Sequence, residues 1–148
     1  MTAYHRQKGS TFERVIADYL AKWVDDRIDR RVKNGAKDRG DIAGLRHMGH
    51  RIVLECKNTA KLALGGWATE AETERGNDDA LAGLIIHKRH GKGRPEDQWV
   101  TLTVGELVAF GEFVAHLARG LAAISRGQRA DIERTDAARR RVQHVEAV

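Results

Sequence analysis

The chain has 148 residues, with 26 Lys and Arg against 21 Asp and Glu for a formal net charge of +5, and 41% of its residues are hydrophobic. That length suits one compact domain, and that apolar fraction excludes wholesale disorder. Cys56 is the single cysteine and no apolar run reaches membrane-spanning length, which excludes a disulfide framework and a transmembrane helix.

The opening MTAYHRQKGS lacks the apolar stretch of a signal peptide, so the expectation is a soluble, basic, intracellular domain with an anionic partner. Phe12, Val15, Ile16, Tyr19, Leu20, Trp23 and Val24 recur at the spacing of one helix face. Ser10-x-x-Glu13 reads as a capping box that starts this helix near Thr11, and the pattern carries it to about Arg27. A short extended piece at 31–34 and a turn at Gly35 follow. Residues 40–45 (GDIAGL) and 51–57 (RIVLECK) read as two strands of a hairpin turning at 47–50. On the second strand Val53, Glu55 and Lys57 face one way and Ile52, Leu54 and Cys56 the other. Apolar residues on both faces indicate a central strand covered on both sides.

Residues 58–66 read as loop and 67–75 (WATEAETER) as a helix closed by Gly76-Asn77, with Glu70, Glu72 and Glu74 on an exposed acidic face. Two more strands are expected at 82–87 (AGLIIH) and 98–103 (QWVTLT), on either side of a basic, glycine-rich loop at 88–95. A second capping box, Thr103-x-x-Glu106, opens an apolar helix through Leu107, Val108, Val114, Leu117, Leu121 and Ile124. The expected organisation is one domain over 1–125 and a charged helix or tail over 126–148. The element order predicts an α/β fold with a central mixed sheet flanked by helices.

Charge is unevenly placed: residues 1–37 carry a net +4, 38–125 a net −1 and 126–148 a net +2. An acidic centre in a basic frame fits a metal site beside a phosphate-binding surface, and it also fits an ordinary mixed surface. Asp41 opens one strand of the hairpin, and Glu55 and Lys57 leave one face of the other. Asp41 and Glu55 can therefore converge. Converging carboxylates bind a hard divalent cation, which lowers the pKa of a bound water and offsets phosphate charge. A lysine beside them orients that water or stabilises developing charge. Together these roles suffice for phosphodiester hydrolysis.

Gly40-Asp41-Ile42 followed by Glu55-Cys56-Lys57 resembles the D…ExK signature of the PD-(D/E)xK nuclease superfamily, with Gly40 where that name has proline. Lys8-Gly9-Ser10-Thr11-Phe12-Glu13 resembles the N-terminal KGS…E segment of Holliday-junction resolvases of the archaeal and phage kind. In element order the likeness spans roughly residues 5–103. It implies a restriction-endonuclease-like core and an intracellular enzyme, phage-encoded among other sources. It also implies a homodimer that cuts four-way DNA junctions with Mg²⁺, for which Mn²⁺ substitutes. Asp41, Glu55 and Glu13 would then be metal ligands, and Lys57 would position the attacking water. Each also has a plainer reading: Glu13 as a helix cap, Asp41 as a residue after a turn, Glu55 as the partner of Lys57.

Lys8, Arg30, Arg31, Lys33 and Arg39, with Lys88, Arg89, Lys92 and Arg94 of the basic loop, are the candidate DNA-backbone contacts. Two other functions fit the same residues: a nuclease for forks, flaps or linear duplex, and a non-catalytic DNA-binding protein on the same fold. Zinc at His47/His50 or His87/His90 is excluded, because no cysteine pairs accompany them and 87 and 90 diverge on a strand. Cys56, Trp23 and Trp67 are expected to pack.

Overall fold

The structure, a computed structural model, describes residues 3–32 and 35–112, together with 115, 119 and 122. Two compact units divide the chain, Met1–Phe110 and Gly111–Val148, and the fold below belongs to the first. Lys33, the apolar positions Val114, Leu117, Leu121 and Ile124, and the tail at 126–148 lie outside the described residues.

Among the described residues six strands form the sheet: β1 (Asp29–Arg30), β2 (Ile42–Ala43), β3 (Arg46–His47), β4 (His50–Lys57), β5 (Ala82–His87) and β6 (Trp99–Thr101). Their order is β1-β2-β4-β5-β6, with β3 also paired to β4. β4 and β5 run parallel, with Ile52 opposite Ala82 and Lys57 opposite His87, and the other pairs are antiparallel. The parallel pair requires a crossover, which helix α2 (Leu64–Asn77) supplies. Helix α1 (Ala3–Trp23) precedes the sheet and a third helix begins at residue 104. This is the mixed, helix-flanked sheet expected from the element order, and it is consistent with a restriction-endonuclease-like core.

Strand alternation divides the core into two layers. Ile52 and Leu54 of β4 and Ala82 and Ile86 of β5 pack with Phe12, Ile16 and Ala17 of α1, and Cys56 adds its thiol at the margin. Ile85 on the opposite face packs with Trp67 and Ala71 of α2. Each such aliphatic side chain withdrawn from water contributes on the order of 2 kcal/mol. α2 lies close to the sheet because residue 83 is glycine: a Cβ there would stand 2.6 Å from the Ala71 carbonyl oxygen.

The hairpin turn is Met48-Gly49, both at positive φ (51° and 90°), the geometry of a two-residue loop between twisted strands. The second capping box forms as expected. The Thr103 amide donates to Glu106 Oε2 (2.7 Å) and the Glu106 amide to Thr103 Oγ1 (3.2 Å). Glu106 also accepts the Gly83 amide at 3.0 Å, in the part of β5 that precedes its pairing with β6.

Several expectations are corrected. α1 starts eight residues before Thr11, and Ser10 is an interior residue whose hydroxyl donates to the Gln7 carbonyl (3.1 Å) rather than capping a terminus. Residues 3–9 hold no proline and their one glycine, Gly9, is tolerated in the helix interior, so the capping pattern is fortuitous there. α1 also ends at Trp23, short of Arg27. The extended piece lies at Asp29–Arg30 rather than at 31–34, because β2 offers it only the register Asp29–Ala43 and Arg30–Ile42. Trp23 is 66% exposed and lies under the Lys22 ammonium (5.0 Å), outside the core.

Candidate active site

β4 carries its alternation into chemistry at its C-terminal end. Val53, Glu55 and Lys57 point to the α2 side, and in an α/β sheet the carboxyl ends of parallel strands are where ligands bind. Asp41 sits beside this end, held by its backbone: its amide donates to the Leu54 carbonyl (2.9 Å) and its own carbonyl accepts from the Arg31 amide (2.7 Å). Its side-chain Oδ2 accepts the Cys56 amide (2.9 Å), which aims the carboxylate along β4. Gly40 makes this approach possible. It lies at φ +90°, and a Cβ there would meet Val53 Cγ1 at 2.7 Å and the Leu54 carbonyl at 3.0 Å. A proline, fixed near φ −65°, cannot occupy that backbone.

Glu55 is buried and Lys57 nearly so, and the Lys57 ammonium donates to Glu55 Oε1 (2.6 Å) and to Glu70 Oε2 (2.5 Å). Glu55, Glu70 and Glu74 each place a carboxylate oxygen within 4.8 Å of the others. Glu74 was expected on an exposed face. Instead it is 4% exposed, and its Oε2 is buried without a hydrogen-bond partner among the described residues. The signal that could have found it is Trp67, Ala71 and Glu74 at i, i+4 and i+7, which places Glu74 on the stripe that packs on the sheet. Glu72 is exposed as expected and pairs with Arg75 (2.7 Å).

Burial raises the Glu55 carboxyl to about 9, and the Asp41 charge pushes in the same direction against the opposing pull of Lys57. Burial likewise lifts Glu74 to about 7, opposed by a hydrogen bond with Glu55 and helped by the charges of Glu70, Asp38 and Asp41. Burial pulls Lys57 down, but its bonds to Glu55 and Glu70 outweigh that and its pKa is raised. One ammonium thus serves a set of acids that repel one another. Oxygen donors with surplus negative charge suit a hard divalent cation, so the residues present fit Mg²⁺ or Mn²⁺.

Glu13 is buried on α1 and accepts from Arg30 Nε at 2.6 Å, an ion pair in place of the expected helix cap. Arg31 and Arg39 converge on Asp78 at 3.2 and 3.5 Å, joined by Arg51 at 3.8 Å. Arg51 was not among the expected contacts. Three guanidiniums on one buried carboxylate leave positive charge, and Arg39 and Arg51 keep nearly half their side-chain surface exposed.

Lys8 and Lys88 line a cleft of about 520 Å³ with Tyr4, Thr11, Phe12 and Asn58. Asn58 follows β4 directly and donates to the Lys8 carbonyl (3.4 Å), so this cleft adjoins the carboxyl end of the site strand. In the basic loop, Arg89 stacks on Trp99 (4.6 Å), Lys88 donates to the Lys92 carbonyl, and Arg94 reaches Glu96 and Asp97 (3.5 and 3.6 Å). His87 is buried against Trp67, with Nε2 2.9 Å from Thr101 Oγ1, and burial lowers its pKa.

Residues 4–94 match the model of a family described as "Phage putative PDDEXK endonuclease". The chain belongs to this family. The match runs from α1 through the basic loop and includes Glu13, Asp41, Glu55 and Lys57. No curated protein and no solved structure matches the chain. A phage PDDEXK endonuclease family is one of hydrolytic nucleases, with DNA as the implied substrate and a divalent metal as the general requirement. Among the described residues, no helix is long and apolar enough to cross a membrane.

Proposed function

We propose that the protein is a Mg²⁺-dependent DNA endonuclease whose preferred substrate is the four-way junction, cut by a homodimer. The observation that carries the nuclease reading is the meeting of Asp41 with Glu55 and Lys57 at the end of β4: a carboxylate aimed by the Cys56 amide beside a buried carboxylate bonded to a lysine. Junction preference rests on the likeness of Lys8-Gly9-Ser10 and Glu13 to the N-terminal segment of resolvases.

Asp41 and Glu55 would hold the cation; Glu13, paired with Arg30 on α1, is a further metal ligand only by the likeness to resolvases. A bound Mg²⁺ supplies a water of lowered pKa and neutralises phosphate charge. Lys57, its ammonium fixed between two carboxylates, stays charged at neutral pH and orients the water or the phosphate oxygen. Arg30, bonded to Glu13 at 2.6 Å, fixes the position of that side chain. Lys8 and Lys88 of the cleft lining, with Lys92, Arg94 and the exposed parts of Arg39 and Arg51, grip the backbone.

The test is cleavage of a synthetic four-way junction, a fork, a flap and matched linear duplex side by side, with Mg²⁺, Mn²⁺ or EDTA. The expected result is metal-dependent cutting of the junction in preference to the other three, abolished in Asp41→Asn and Glu55→Gln while junction binding persists. Equal cutting of linear duplex would withdraw the junction preference and keep the nuclease. Binding without cutting in any metal would favour a DNA-binding protein on this fold. Sedimentation of the purified chain tests the dimer.

A further inference from the structure

The acids that gather on the α2 side of β4 exceed what the D…ExK pattern supplies. Glu70 and Glu74 lie one helical turn apart on α2 and face Glu55 across the layer between helix and sheet. The three offer carboxylate oxygens mutually within 4.8 Å, and Asp41 is not a member of that group. A cluster of acids alone would mean little, since one ammonium, Lys57, already bridges Glu55 and Glu70. The independent observation is Glu74. It is 96% withdrawn from solvent, it stands within the cluster hydrogen-bonded to Glu55, and its Oε2 has no hydrogen-bond partner among the described residues. A buried carboxylate oxygen without a donor is costly, and such groups persist where a ligand completes them. Glu70 supplies the route in: its side chain is 49% exposed, so an ion reaches the buried pair from water.

We propose that Glu70 and Glu74 are metal ligands, forming with Glu55 a divalent-cation position that draws two of its three carboxylates from the crossover helix. This rests on the nuclease reading and deepens it, since Glu55 is common to both sets. Once ionised, the three carboxylates carry more charge than Lys57 offsets, and an all-oxygen set of this kind selects Mg²⁺ or Mn²⁺ over softer ions. The cation competes with the Lys57 ammonium for Glu70, so occupancy of this position loosens the hold of α2 on the lysine.

The experiment is Mn²⁺ uptake by the intact chain, read from the loss of the free-ion electron paramagnetic resonance signal, with thermal stabilisation by Mn²⁺ as a second readout. Glu70→Gln and Glu74→Gln keep size and remove charge, and Glu72→Gln on the same helix is the control. The expected result is weakening of Mn²⁺ affinity by about tenfold or more in each of the first two, with a smaller melting shift, and no change in Glu72→Gln. Uptake equal to the parent in both variants overturns the α2 ligands and leaves the nuclease reading standing. No uptake by the parent chain overturns both. Glu70 is half-exposed, so its variant decides the matter alone should Glu74→Gln fail to fold.

Discussion

Glu55 and Glu74 are residues whose environment, more than their identity, sets their chemistry. Burial raises the first to about 9 and the second to about 7, from an ordinary 4.5. A raised carboxyl favours the fold below the unfolded pKa, and that contribution fades as pH climbs through the folded value. The metal-free chain therefore loses stability between about pH 5 and 9 as these groups are forced to ionise. A divalent cation binds only the ionised acids, so it releases protons on binding and its apparent affinity grows over the same interval. The expected outcome is a melting-temperature gain from Mg²⁺, relative to EDTA, that is small at pH 6 and increases toward pH 9. A gain flat with pH would place the bound cation away from these two carboxyls. Gly40 illustrates the same dependence on place. The sequence shows only a departure from proline, while the backbone at φ +90° against Val53 and Leu54 shows why no proline fits there.

At the scale of elements, the crossover β4-α2-β5 does most of the positioning. β5 was legible to the residue at 82–87 and β4 to within one residue, because buried strands declare themselves by continuous apolar runs between turns. The start of α1 was not legible, since Ser-x-x-Glu looks the same inside a helix as at its end. The inward face of α2 was obscured by its composition: six polar or charged residues besides Glu74 share the helix with Trp67 and Ala71, so Glu74 reads as surface until the helix is docked. Asp41, Glu55 and Lys57 could be chosen from pattern because strand periodicity and hairpin register are local. Glu70 and Glu74 depend on how α2 lies on the sheet. That docking hinges on Gly83, where a methyl would stand 2.6 Å from the Ala71 carbonyl. Gly83→Ala is expected to lift α2, costing about 1–3 kcal/mol in urea unfolding and weakening Mn²⁺ uptake without removing any acid. Unchanged stability would mean that the helix can slide at no cost, and the close approach would then not be what fixes the site.

At the scale of the whole molecule, the formal charge of +5 understates what DNA meets, because a bound divalent cation offsets acids that the count treats as surface. The cations are also unequal. Arg31 is four-fifths buried, bonded to Asp78 and to the Arg39 carbonyl (2.8 Å), so much of its charge is committed to the fold. Lys8, Lys92 and Arg94 are exposed, and Lys8 and Lys88 both line the cleft beside the end of β4. Affinity for DNA should thus fall steeply with salt, by about 0.9 in the log–log slope for each phosphate neutralised. Junction binding by the uncut Glu55→Gln variant, titrated from low to moderate salt, measures this. Lys8→Ala and Lys88→Ala are each expected to reduce the slope by about 1 and to leave the melting temperature in place. Arg31→Ala is expected to do the reverse, lowering the melting temperature because the buried Asp78 loses the closest of its three guanidiniums, while changing the slope little. If Arg31→Ala reduced the slope and Lys8→Ala did not, the DNA path would run over the Asp78 arginines on the far end of α2 and not along the α1 cleft.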